Sequence, residues 1–157
     1  MFQEGPIEGV VVKPLRQFGD DRGWLIELYR QDELEPGDFP VMAYVSQTLP
    51  GVARGPHEHR DQADLFAFVG PGDFELLMWD TRRESPTFGN RQALRVGASN
   101  MQSVLVPAGV VHAYKNVGEV PGVVFNAPNR LYAGEGKREP VDEIRHEDRP
   151  DSQFAVD

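Results

Sequence analysis

The stretch RGPHEHRDQAD, residues 54 to 64, packs two histidines, two arginines and three carboxylates into a chain of 157 residues that holds four histidines in all. Neutral imidazoles and carboxylates are ligands for divalent metals, and an imidazole is also the side chain best suited to take a proton near neutral pH. Alternation along a strand puts His57 and His59 on one face, which a shared ion or substrate requires. Three readings therefore open together: a metal site, a proton-transfer site, or a solvated surface loop.

Such side chains need a scaffold, and short apolar runs supply one. They fall at 9–12, 24–29, 41–47, 65–69, 74–79, 92–96, 103–107, 110–114 and 122–127, each bounded by Gly, Pro, Asp or Asn. Runs of that length, rich in β-branched and aromatic residues and evenly punctuated by turn residues, predict an all-β sandwich or barrel. No segment keeps a helical apolar period for three turns, so helix is expected only in short pieces, at 30–34 or near 128–133. One domain is expected over 1–157, with its core at about 8–133 and a charged C-terminal extension from about 134 that wraps the domain or a partner subunit and frays at its end.

Composition narrows the partners. A net charge of −9 argues against nucleic acid or an anionic membrane surface, since phosphate backbones need a basic face. Only Lys13, Lys115 and Lys137 are lysines, so the basic side chains are mostly arginine, whose planar fork suits a small phosphate ligand; a GC-rich genome would give the same bias. The acidic N-terminus does not resemble a secretory signal, no run approaches membrane-spanning length, and cysteine is absent, which together suit a cytoplasmic protein. His146 is expected in solvent within the tail, and Trp24 and Trp79 in the core or at a subunit interface.

Two spacings then stand out. Gly51, His57-Glu58-His59, Asp64 and Gly70 follow the first motif of the cupins, and PAGVVHAYKN at 107–116 follows the second, with Pro107 and Gly109 making the turn before His112. Three of the four histidines thus sit at the histidine positions of two separate motifs. If these residues bind an ion, His57, His59, Asp64 and His112 are its ligands, and three imidazoles with one carboxylate suit Zn, Fe, Mn or Ni. The other reading makes them polar groups of a metal-free ligand pocket.

Beyond the pocket, DDRGWLIELY (20–29), VSQTLPGVARGPH (45–57), WDTRRESPTFGNRQ (79–92) and VPAGVVHAYKN (106–116) resemble the dTDP-4-dehydrorhamnose 3,5-epimerase family, over about residues 8–150. The resemblance implies a cupin jelly roll that dimerises with exchanged strands, acts without a cofactor, and takes a nucleotide-linked 4-keto-6-deoxy sugar. It implies that His57 is the base, that Arg22 and Arg54 contact the diphosphate, and that Glu27, Gln47, His59 and His112 bind substrate. The departures are equally specific. Where the family reads Gln-x-Lys-Leu, with the lysine holding an enolate oxygen, this chain has Gln62-Ala63-Asp64-Leu65. The family's proton-donating tyrosine falls near Phe125, leaving Tyr132, Tyr114 or Tyr44 to replace it, with Tyr132 assigned here. The family's aspartate partner of the base lies in a segment without a visible counterpart, so Asp80 is expected to orient His57. RGPHEHRDQ also resembles the sugar 3,4-ketoisomerases. Two alternatives stay open beside the epimerase: a metal-dependent cupin enzyme using His57, His59, Asp64 and His112, and a non-catalytic sugar-nucleotide binder.

Overall fold

The structure, a computed structural model, describes residues 1–156. Its strands are β1 (Gln3–Glu4), β2 (Val11–Pro14), β3 (Gln17–Asp20), β4 (Gly23–Ile26), β5 (Tyr44–Thr48), β6 (Ala53–Glu58) and β7 (Asp64–Phe68). They continue with β8 (Asp73–Asp80), β9 (Asn90–Gly97), β10 (Gln102–Val106), β11 (Val110–Asn116), β12 (Gly122–Asn126) and β13 (Ile144–Arg145). Among the described residues, helix is confined to single 3-10 turns at Gln31–Glu33, Pro36–Asp38 and Glu135–Lys137. No helix among the described residues is long and apolar enough to cross a membrane.

Two sheets form the jelly roll of a cupin. One has the order β1-β9-β8-β11-β6-β13, the other β2-β10-β7-β12-β5, and β3 with β4 makes a separate hairpin. The alternation of β8 and β11 shows why both are apolar almost throughout. Phe74, Leu76 and Met78 on β8, with Val110 and Tyr114 on β11, point between the sheets against Phe66 and Phe68. The intervening Leu77, Trp79, Val111 and Ala113 point outward, where Phe154 covers them and Phe2 and Val156 pack alongside. A strand buried on both faces reads as a continuous apolar run, and each fully buried large side chain contributes about 1.5–3 kcal/mol.

The tail wraps the domain and is more deeply engaged than its composition suggests. It supplies Phe154 to the outer cluster, and β13 pairs with β6. His146, expected in solvent, is 8% exposed, sits 2.9 Å from Glu58 Oε1 and packs its ring on Phe154 at 4.7 Å. Trp79 is buried as expected, whereas Trp24 lies on the β3–β4 hairpin at 61% exposure beside the equally exposed Leu25.

Candidate active site

The strand that carries the first motif, β6, lies between β11 and β13 in the six-stranded sheet. Its register with β11 pairs His57 with His112, and a bulge follows before Arg54 pairs with Tyr114. Gly55 sits at that irregularity with φ of +84°, and a Cβ there would lie 2.5 Å from the His112 carbonyl oxygen. Only glycine lets β6 approach β11 so closely in this conformation. The glycine of the Arg-Gly pair thus sets the position of His57.

The rings of His57, His59 and His112 cluster together, with centroids 4.6 Å apart for His57 and His112, 5.7 Å for His57 and His59, and 5.9 Å for His59 and His112. Asp64 enters from β7 of the opposing sheet. Its Oδ2 lies 3.0 Å from His59 Nε2 and 3.4 Å from His112 Nε2, while Oδ1 accepts from the amides of Gln62 at 3.0 Å and Asn126 at 3.1 Å. The Nδ1 atoms of the two histidines face backbone carbonyls, those of Asp142 for His59 and Val110 for His112. Asp64 is 1% exposed. Burial opposes its ionisation, but the bonds from His112 and His59 outweigh burial and hold its carboxyl below the usual carboxylate range. Burial likewise opposes protonation of His59, yet its bonds to Asp64 and the Asp142 carbonyl raise it to about 8. His57 goes the other way, to about 2, because it is buried and faces two further imidazoles. His57 is therefore a neutral imidazole.

The tail completes the site. β13 places Arg145 opposite His57, and Glu143 Oε1 and Glu147 Oε1 each lie 3.9 Å from His57 Nδ1. The Asp142 carboxylate accepts the backbone N–H groups of Arg60, Asp61 and Gln62 at 2.8, 2.9 and 3.0 Å, and so fixes the loop between His59 and Asp64. Sequence reasoning gave Asp142, Glu143 and Glu147 no role. The available sign was the density of acids in VDEIRHEDR, residues 141–149, in a segment otherwise treated as wrapping.

His57 and His59 line a cavity of about 850 Å³ that runs along residues 128–135 and the tail. Tyr44 and Tyr132 are on its wall, with Arg130 and Lys137 as nearby cations. Burial raises the Tyr44 hydroxyl to about 12, and it accepts a hydrogen bond from Asn126. Tyr114 is elsewhere, bonded to Ser46 at 3.0 Å and packed among Phe66, Phe68 and Phe74. Phe125 packs against the small cluster of Ala63, Leu65, Leu105 and Ala127.

Asp80 does not orient His57. Its carboxylate is fully buried and engages Arg82, Ser85 and Thr87, all within the conspicuous DTRRESPT stretch. That stretch is a turn network, tied to the backbone of Glu8 through Arg82 and Thr87, rather than part of the pocket. Arg54 and Gln47 do come together, through a 2.7 Å bond from the guanidinium to the Gln47 carbonyl and a second to Thr48 Oγ1 at 2.9 Å. Arg22 and Glu27 belong to the β3–β4 hairpin region, where Arg22 pairs with Asp20 and Glu27 with Arg30. Within one chain they do not reach the histidine cavity.

A sequence profile described as dTDP-4-dehydrorhamnose 3,5-epimerase matches residues 4–148. The chain belongs to that family. Family membership makes it an isomerase of the nucleotide-sugar epimerase type. A Bacillus subtilis relative named spore coat polysaccharide biosynthesis protein SpsL is 37% identical over 115 residues, covering 73% of this chain and 75% of its own. The probable low-salt glycan biosynthesis epimerase Agl13 of Haloferax volcanii is 35% identical over 127 residues, covering 80% and 81%. The fold matches the crystal structure of a dTDP sugar isomerase from Desulfovibrio desulfuricans with a TM-score of 0.81 at 24% identity, over 95% of this chain and 91% of that one.

Proposed function

We propose that this member of the family epimerises a nucleoside-diphosphate-linked 4-keto-6-deoxy sugar, with His57 as the base. The observation that carries this reading is His57 on the wall of a cavity of about 850 Å³, with Glu143 and Glu147 each 3.9 Å from its Nδ1. A 4-keto group acidifies the hydrogens on the adjacent carbons. His57 Nε2 takes one, the electrons move to the ketone oxygen as an enolate, and a proton delivered to the other face inverts the carbon. Glu143 and Glu147 take the place expected for Asp80, fixing the imidazole and stabilising the imidazolium. Tyr132 is assigned as the donor, and Arg54, Gln47, Arg130 and Lys137 as the groups that hold the nucleotide. Proton removal and return involve no net change of oxidation state, so no redox cofactor enters the reaction.

The active unit in this reading is a homodimer of single-domain subunits. Support comes from the hairpin, which exposes Phe18, Trp24 and Leu25 at 48%, 61% and 61% and holds Arg22 and Glu27 apart from the cavity of their own chain. A cysteine-free chain suits a cytoplasmic location for the dimer. Family membership favours this reading over a metal-dependent enzyme for an unrelated small substrate and over a binder without chemistry.

Solvent deuterium tests the reaction. Incubated in D2O with a deoxythymidine diphosphate 4-keto-6-deoxyhexose, the protein is expected to place deuterium at one or both carbons beside the ketone, and His57→Asn to abolish it while leaving the circular dichroism spectrum unchanged. Wild-type protein that binds the nucleotide but exchanges nothing would refute the assignment.

A further inference from the structure

Three neighbouring strands of the five-stranded sheet each place one polar side chain in a row that ends at the cavity wall. Asp64 lies on β7, Asn126 on β12 and Tyr44 on β5, and the strand register pairs Asn126 directly with Tyr44. Asp64 and Asn126 are 1% and 3% exposed and stand behind the wall, whereas Tyr44 lines the cavity together with His57 and His59. The hydrogen bonds along the row run in one direction. Asp64 Oδ1 only accepts, so Asn126 turns its amide nitrogen to it at 3.1 Å; the opposite amide orientation would set two oxygens at that distance. Asn126 keeps this orientation although its own Oδ1 finds no partner. The second hydrogen of the same nitrogen goes to the Tyr44 hydroxyl oxygen at 2.6 Å. The phenol therefore accepts from the row, and its own hydrogen is left for another acceptor. Among the described residues no side chain takes it.

We propose that Tyr44 is a catalytic residue of the epimerisation, donating its hydroxyl hydrogen bond to the oxygen of the 4-keto group as that oxygen becomes an enolate, with Asn126 and Asp64 as its positioning residues. The assignment rests on the epimerase reading. As His57 takes the proton from the neighbouring carbon, the C–H electron pair becomes the carbon–carbon double bond and the carbonyl π pair moves to oxygen. The phenol bonds that oxygen and keeps its proton, so nothing further is transferred. Burial and the nearby Asp64 charge raise the hydroxyl to about 12, so it stays a protonated donor at neutral pH. Being held beforehand by the Asn126 amide, it reorganises little when the charge develops, which is the condition for effective stabilisation of an oxyanion. Other polar groups beside the histidines are committed elsewhere. Gln62 Nε2 bonds Asp64 at 3.0 Å and lies 3.3 Å from His59 Nε2, and His59 Nδ1 faces the Asp142 carbonyl. Tyr132 is kept for the carbon. Asp64 stands where the resembling family has lysine, so in this chain a phenol takes over the task of the cation and the carboxylate serves to aim it.

Deuterium exchange and inversion, measured side by side on a deoxythymidine diphosphate 4-keto-6-deoxyhexose, test it. Tyr44→Phe keeps the ring and is expected to melt as wild type does, to lower kcat for exchange and for inversion together by about 10²-fold, and to change KM less than about threefold. Asn126→Ala should lower kcat about tenfold alone and no further when added to Tyr44→Phe, because it acts through the hydroxyl. The contact is also read without turnover. Bound to His57→Asn, the 4-keto sugar should show its carbonyl infrared band at lower frequency than when bound to the double variant His57→Asn with Tyr44→Phe. Full-rate exchange by Tyr44→Phe, or equal carbonyl bands in those two proteins, overturns the proposal and leaves the epimerase reading standing. Inversion lost with exchange retained makes Tyr44 the donor to carbon and likewise overturns it. Losses that multiply in the Asn126 and Tyr44 double variant overturn the positioning role of Asn126. A wild type that exchanges nothing overturns the epimerase reading and this role with it.

Discussion

Gly55→Ala separates the role of close backbone approach from that of backbone conformation. The added methyl would sit 2.5 Å from the His112 carbonyl oxygen, 3.1 Å from Ala113 Cα and 3.1 Å from the His57 amide nitrogen. Carbon-to-oxygen contacts relax to about 3.3 Å, so β6 must move away from β11 by roughly 0.8 Å at this point. A non-glycine residue at φ of +84° costs about 1–2 kcal/mol, and forcing a methyl into a filled contact a further 1–3 kcal/mol. The expected loss is about 2–5 kcal/mol in urea denaturation, which leaves a typical domain folded. Gly89→Ala is the matched control, since Gly89 has φ of +85° and nothing within 4 Å of the added atom, so it should cost only about 1–2 kcal/mol. The geometric consequence is greater than the energetic one. Displacing His57 by most of an ångström is expected to lower kcat/KM for deuterium exchange about 10²-fold in Gly55→Ala and to leave it unchanged in Gly89→Ala. Equal stability losses in the two variants, or full activity in Gly55→Ala, would refute the claim that this close approach aims the histidine.

Other perturbations read other contacts. Glu143→Gln and Glu147→Gln each leave one carboxylate behind His57, so single substitutions should lower kcat about tenfold or less and the double substitution about 10²-fold, with KM little changed, in steady-state assays. Tyr132→Phe should lower kcat for inversion by about 10²-fold or more if it is the donor to carbon; inversion at the wild-type rate would move that role to another group. Asp80→Asn removes the anion that holds Arg82, Ser85 and Thr87, and should cost about 3 kcal/mol, or roughly 6–12 °C in melting temperature. Burial alone would raise Asp80, but the bonds from Arg82, Ser85 and Thr87 outweigh it and lower the pKa, so this stability is fully present above the unfolded value of about 4. The gap between wild type and Asp80→Asn should therefore be largest near pH 6 and narrow as the pH falls below about 4 in a series of thermal melts.

The strands that bury apolar side chains were legible because burial leaves a pattern. The runs at 65–69, 74–79, 92–96, 103–107 and 110–114 lie within or within one residue of β7 to β11, and the expected all-β jelly roll is the one the family shares. β6 has no such pattern. Its residues ARGPHE alternate neither in hydropathy nor in β propensity, because one face carries the pocket and its neighbours β11 and β13 supply the pairing. Motif spacing located it where periodicity could not. β3 and β4 read as a strand pair only in part, since their apolar side chains face solvent in the single chain.

The contribution of the tail escaped the sequence for a physical reason that also ties fold to site. Composition treats 134–157 as a solvated segment because its charges outnumber its apolar residues. Its carboxylates, however, act at short range on groups that are themselves unpaired: Asp142 on three loop amides, Glu143 and Glu147 on His57. One aromatic side chain, Phe154, then anchors the segment by covering Trp79 on the outer face of the sheet whose inner face holds His112. A charged segment anchored by Phe154, with Val156 alongside, thus reaches both the outer face of this sheet and His57. The same strand pairing that seats β13 on β6 brings Glu143 and Glu147 beside His57, so docking of the tail and the surroundings of that imidazole are a single structural event.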